Sequence, residues 1–195
     1  AALDRICQAA IQAVRAGKAL IVLSDRNIDK QKLPIAALLA TGAVHHALLN
    51  AELRCDASLI IETATARDPH HFACLIGYGA TAVYPYLAFE ILYDMAHSGE
   101  IAGKEPADLA SAFRKGINKG LLKIMSKMGI STIGSYRGAQ LFEIVGLEDE
   151  VVERCFTNTV SRLQGAGFAD IEQDQKILAV RAWNPRKPLD AGGIY

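Results

Sequence analysis

Ala19-Leu20-Ile21-Val22-Leu23-Ser24-Asp25-Arg26 is the stretch whose reading decides the fold. Five apolar residues run without polar alternation and stop at a polar triplet. Such a run suits a strand covered on both faces, as in a parallel sheet. Ahead of it, Leu3, Ile6, Ala10 and Val14 stand in helical register. Gly17 fits the left-handed position that ends this helix, read from about Leu3 to Ala16. Behind it, a polar loop from Asn27 to Leu33 reaches Pro34, which suits the first turn of a helix from Ile35 to about Leu49.

The alternation repeats along the chain. A second apolar run, Ala57-Ser58-Leu59-Ile60-Ile61, ends in Glu62-Thr63. Asp68-Pro69 predicts a helix start, with Asp as cap and Pro needing no donor, for a short helix over 70–76. Ala82-Val83-Tyr84 reads as a third strand closed by Pro85, and 87–97 as a helix. After Gly103-Lys104-Glu105-Pro106, residues Leu109, Phe113, Ile117, Leu121, Ile124 and Met128 recur at spacings of four and three, a helix over 107–128. Gly116 and Gly120 weaken it by about 1 kcal/mol each relative to Ala, and lie four apart, where another backbone could approach. Ile130-Ser131-Thr132-Ile133 reads as a fourth strand and 139–145 as a short helix. Glu148, Asp149 and Glu150 open a further helix to about Arg154, and the last helix spans 169–182, ended by Pro185 and Pro188. The expected class is α/β, a mostly parallel sheet with covering helices, as an open sheet or part of a barrel.

Composition removes several functions. The chain has 195 residues, 51% hydrophobic, with 21 basic and 21 acidic side chains and zero formal net charge. Disordered chains lack that apolar content. Charge balance gives no general attraction to nucleic acid or to an anionic membrane, so neither is expected as a partner. No apolar run approaches the roughly 20 residues that span a bilayer. Cys7, Cys55, Cys74 and Cys155 lie far apart without ligand spacing, and read as reduced thiols of a cytoplasmic protein, packed as small hydrophobes. The chain opens in helical register with neither a signal peptide nor an initiator Met, and stops at Ile194-Tyr195 without closing an element. Both ends are those expected of a piece of something longer.

In parallel α/β folds, ligands sit outside the carboxyl ends of the strands. Here those ends carry Asp25-Arg26, Glu62-Thr63, Tyr84-Pro85-Tyr86 and Ser135-Tyr136-Arg137. Asp25, Glu62 and Arg137 could then form the site of a self-contained enzyme, or simply belong to loops that are polar anyway. Gly77-Tyr78-Gly79-Ala80 lies between a helix and a strand without dinucleotide-motif spacing, which favours a tight turn. In the pairs His45-His46 and His70-His71, neighbours on a helix point about 100° apart, so one pair cannot easily chelate an ion. Lys115, Lys119, Lys123 and Lys127 recur every fourth residue, a row that either faces solvent or meets an acidic partner.

A family resemblance enters through several blocks. They are Leu23-Ser24-Asp25-Arg26, Thr41-Gly42-Ala43-Val44-His45-His46, Arg67-Asp68-Pro69-His70-His71-Phe72, Leu75 through Leu87, Lys119 through Thr132, and Ser135-Tyr136-Arg137-Gly138-Ala139-Gln140. Together they resemble the large (alpha) subunit of glutamate synthase, in the second half of its central domain. Residues 1–183 correspond to that domain, and 184–195 resemble a linker toward the flavin-binding barrel. The resemblance implies a parent in which an amidotransferase domain releases ammonia from glutamine. The ammonia passes through an internal tunnel to a (β/α)8 barrel carrying FMN and a 3Fe–4S cluster. There it combines with 2-oxoglutarate, with electrons from a small subunit or ferredoxin. It implies for this chain a non-catalytic layer beside the passage, with no catalytic, cofactor or metal residue of its own. Asp25, Arg26, Glu62, Gly79, Ala80, Tyr84, Tyr136 and Arg137 are the candidates for passage wall or domain interface.

Overall fold

The structure is a computed structural model, and it describes residues 1–101 and 103–184. The first element is α1 (Ala2–Arg15), whose apolar stripe buries Ala10 and Val14. The chain then alternates through β1 (Leu20–Ser24), α2 (Ala37–Asn50), β2 (Ser58–Glu62), α3 (Pro69–Gly77) and β3 (Ala82–Tyr84). A single 3-10 turn, Arg54–Asp56, precedes β2. The three strands form a parallel sheet in the order β1-β2-β3, with Ile21 opposite Leu59 and Ile60 opposite Ala82. Asp68 caps α3 as its sequence predicts, accepting the backbone N–H groups of His70 and His71, with Pro69 in the first turn.

Helices α4 (Tyr86–His97) and α5 (Pro106–Lys127) follow and complete the layer of helices. Val44, Leu48, Leu59, Ile61, Phe72, Leu75 and Ile117 make its main core. The glycine pair of α5 divides in two. Gly120 faces the Pro69 ring, where α5 crosses α3 closely, whereas Gly116 has open space around it.

The remainder is a second, smaller parallel unit. A one-turn helix α6 (Ile133–Tyr136) leads to β4 (Glu143–Leu147), α7 (Asp149–Cys155), β5 (Val160–Ala166) and α8 (Phe168–Trp183). Strands β4 and β5 pair in parallel across α7, with two shifts of register. Neither sheet closes, so the open form of the expected α/β class is the one adopted, not a part-barrel.

Two sequence expectations fail here. Residues 130–133 are not a strand, because α5 ends in a left-handed Gly129 and the Ile130 N–H bonds back to the Met125 carbonyl. The Thr132 and Ser135 hydroxyls then meet at 2.9 Å and hold a helical turn. Residues 139–145 are not a helix, because Gly138 and Gln140 both take positive φ and turn the chain. Glu143, Ile144 and Val145 then alternate exposed, buried, exposed, the pattern of a strand with one covered face. The strand β5, whose apolar residues are sparse, was not expected from sequence.

Among the described residues the first sheet is covered on one side only. Ile21, Leu59 and Ile61 point into the core. On the other face Leu20 is 65% exposed, Val22 55% and Tyr84 44%, with Ile60 between them. The uninterrupted apolar run that predicts two covered faces is therefore half satisfied. Helix α2 is the opposite case. Residues Leu39 through Val44 are all buried, because α2 lies between the sheet and α7. A side chain at Gly42 would collide with the Cys155 carbonyl of α7, so the two helices touch backbone to backbone.

Candidate passage wall and interface

The carboxyl ends of β1, β2 and β3 bring Asp25, Arg26, Glu62 and Tyr84 together. Asp25 accepts the Thr63 hydroxyl at 2.6 Å and the Ala64 N–H at 3.1 Å, tying the loop after β1 to the loop after β2. Glu62 accepts from the Ser24 hydroxyl at 2.5 Å and from Arg26 Nε at 2.8 Å. The Arg26 guanidinium also reaches Glu90 on α4 at 3.5 Å and lies 4.3 Å from the centre of the Tyr86 ring. Burial, and then the Asp25 carboxylate beside it, push the Tyr86 hydroxyl up to about 12. One guanidinium thus serves two carboxylates, and Asp25 is satisfied by neutral donors. The arrangement clamps the strand ends and seats two tyrosine rings, Tyr84 and Tyr86, beside the uncovered sheet face.

Gly79, Ala80, Tyr136 and Arg137 gather at the other end of the sheet, around the turn from α3 into β3. By sequence, Tyr136 and Arg137 fall at the carboxyl end of a fourth strand. With α6 in place of that strand, the Gly138 N–H donates to the Gly77 carbonyl at 2.9 Å and both residues move to this turn. Ala80 is fully buried and Gly79, at φ 113°, packs on the His45 ring. Tyr136 is buried against the edge of Phe142, which stacks on Tyr78, which in turn meets Phe156. This aromatic row, with the Tyr78 hydroxyl 2.9 Å from the Thr159 hydroxyl, binds the second unit to the first.

The organising residue at this end is Arg54, which sequence reasoning missed. Its Nε donates to His45 Nδ1 at 2.9 Å, and its two terminal nitrogens donate to the carbonyls of Ala57 at 2.6 Å and Gly79 at 2.7 Å. One guanidinium thus joins α2, the start of β2 and the α3–β3 turn. Burial, then the Arg54 charge, pull His45 down to about 4, so it stays neutral and can accept that bond. Nothing in the local sequence separates Arg54 from the charged residues around it.

The four cysteines stand on α1, the 3-10 turn, α3 and α7. Burial pushes the Cys155 thiol up to about 12, and raises Cys7 and Cys74 as well, which disfavours the thiolate form that metals take. Among the described residues no three His, Cys, Asp or Glu side chains are placed to hold an ion. These cysteines do not fit an iron–sulfur cluster. Lys115, Lys119, Lys123 and Lys127 are all exposed on α5. No described helix is long and apolar enough to cross a membrane.

Residues 1–148 match the glutamate synthase central domain. The chain is 45% identical over 184 residues to Glutamate synthase (NADH) of Schizosaccharomyces pombe, covering 94% of this chain and 9% of that protein. It is 41% identical over 196 residues to the Ferredoxin-dependent glutamate synthase of Pyropia yezoensis, covering 95% and 13% respectively. It is 42% identical over 163 residues to the Glutamate synthase (NADPH) large chain of Bacillus subtilis, covering 84% and 11%. The chain therefore spans only about a tenth of the length of these relatives. With three-quarters of its length matched by the domain and long alignments to each of these enzymes, the chain belongs to the glutamate synthase central domain family.

Proposed function

We propose that this chain is a non-catalytic structural segment of a glutamate synthase large subunit. In that role it links the glutamine amidotransferase domain to the FMN-binding synthase domain and forms part of the wall of the ammonia passage. The parent would convert glutamine, 2-oxoglutarate and a reductant into two molecules of glutamate. FMN and the 3Fe–4S cluster would be held by the barrel, and the small subunit or ferredoxin would deliver electrons to it. The observation that carries this reading is the uncovered sheet face. Leu20, Val22 and Tyr84 stand exposed on a parallel sheet, a kind that is ordinarily covered on both faces. The clamp supports it further, since Arg26 pairs with Glu62 and Glu90 beside that face while Asp25 is held by the Thr63 hydroxyl and the Ala64 N–H. A neutral molecule such as ammonia is best confined by walls of this kind, apolar with paired charges.

The test uses the full-length parent. Photolabelling with a carbene precursor should mark Leu20, Val22 and Tyr84 in the 195-residue chain and spare them in the parent. Tyr84→Ala in the parent should raise the free ammonia released per glutamine consumed, while synthesis from added ammonia is unchanged. Equal labelling in both contexts, with no ammonia released by the variant, refutes the reading.

A further inference from the structure

We propose that Arg137, with Arg54 nearby, is the donor group that binds a carboxylate coming from outside this chain. The Arg54 guanidinium and the backbone at Arg137 meet at one turn. Arg54 donates to the Gly79 carbonyl, and the residue after Arg137 donates its N–H to the Gly77 carbonyl. They are close enough for the charge of Arg137 to lower the pKa of Arg54, after the larger effect of burial, and to contribute to the depression at His45. Two like charges held together in half-buried positions repel each other and lose solvation. An arrangement of this kind is favourable when an anion joins it.

No such anion is supplied among the described residues. Neither arginine makes an ion pair there, whereas Arg26, Arg154 and Arg162 each find a carboxylate. Arg54 is already used, with each of its three nitrogens donating to a neighbour. Arg137 is unused. Its side chain makes no hydrogen bond among the described residues, and its Nε is buried without a partner. His45 and His46 are both held below their ordinary range by burial, so they add no positive charge at neutral pH. What remains is one guanidinium without a partner, its Nε shielded from water, in the field of a second cation. A guanidinium fork pairs with a carboxylate through two parallel hydrogen bonds, and one fork satisfies one such group. The carboxylate has two possible sources. It is either an acidic side chain of the parent polypeptide or a free carboxylate solute.

The experiment has two arms, and the first does not depend on the structural role proposed above. The labelled 195-residue chain is titrated with glutarate at constant ionic strength while the Gly138 amide and Arg54 Nε–H resonances, present in wild type and variant alike, are followed, with sulfate as the control. A saturable shift, with affinity weakened about tenfold or more in Arg137→Met, identifies a free carboxylate as the ligand. An equal response to sulfate means an adventitious ion only and overturns the proposal. The second arm compares Arg137→Met in the chain and in the full-length parent. Met keeps the packing length and removes the unpaired charge. If the parent supplies the carboxylate, the substitution leaves the Tm of the chain unchanged or raised, and lowers the Tm of the parent by several degrees. A purely structural arginine would shift both in the same direction. The proposal is overturned if glutarate does not bind and the two Tm shifts agree in sign.

Discussion

Gly42 and His45 show how much rests on single side chains. At Gly42 a methyl group would enter the Cys155 carbonyl, and neither backbone can yield without separating α2 from α7. Gly42→Ala should therefore cost about 3 kcal/mol, the upper part of the usual range for overpacking, read as a fall in the urea midpoint. His45 predicts a dependence on pH. Its folded-state pKa, about 4, lies below its unfolded value of 6.5. The unfolded chain then binds more protons between those values, so stability is complete above pH 6.5 and declines as the pH falls toward 4. Allowing for its partial exposure, the loss should be about 1–2 kcal/mol. His45→Gln, which keeps an acceptor for Arg54, should flatten the change between pH 6.5 and 4.5 in denaturation curves.

At the scale of elements, the glycine pair of α5 gives opposite expectations. Gly116→Ala meets open space in a helix interior and should stabilise by roughly 0.5–1 kcal/mol. Gly120→Ala meets the Pro69 ring and should destabilise by about 1–2 kcal/mol. Thermal unfolding of the two variants separates them by sign. The same helix carries the lysine row, and reversing Lys119 and Lys123 together should move stability by less than about 1 kcal/mol if the row faces water. Loss of binding to an acidic partner would instead give the row a role in association. Elements up to α5 were readable from sequence because each is bounded by a strong signal, such as Asp68-Pro69 at α3 or Pro106 at α5. Beyond Gly129 the signals conflict. Ile130 through Ile133 has the residue types of a strand, but hydroxyl groups at Thr132 and Ser135 favour a local turn. The strand β5 carries only Val160 and Leu163 as large apolar residues, and both are exposed, so no pattern announces it. Asp25, Arg26, Glu62 and Tyr84 were recognisable as strand ends, and Gly79 and Ala80 as the turn ahead of β3. The move of Tyr136 and Arg137 to that turn was not, because it follows from where the misread α6 lies.

For the whole molecule, the uncovered faces set the behaviour in solution. Leu20 and Val22 on the first sheet, and Val145, Val160 and Leu163 on the second, lie open in the 195-residue chain. The chain should self-associate at micromolar concentration and bind a hydrophobic dye. Sedimentation velocity on a Leu20→Asp, Val22→Asp double variant should show a shift toward monomer, with the fold intact by circular dichroism. An unchanged size distribution would place the association elsewhere. Helix α2 has a different consequence, one of timing. It is buried on nearly all sides, and part of its cover is α7, on the order of a hundred residues later in the chain. At translation speeds of about 5–20 residues per second, some ten seconds separate the emergence of the two helices from the ribosome. Through that interval a greasy, incompletely sheltered helix waits on the nascent polypeptide, the kind of segment that holding chaperones bind.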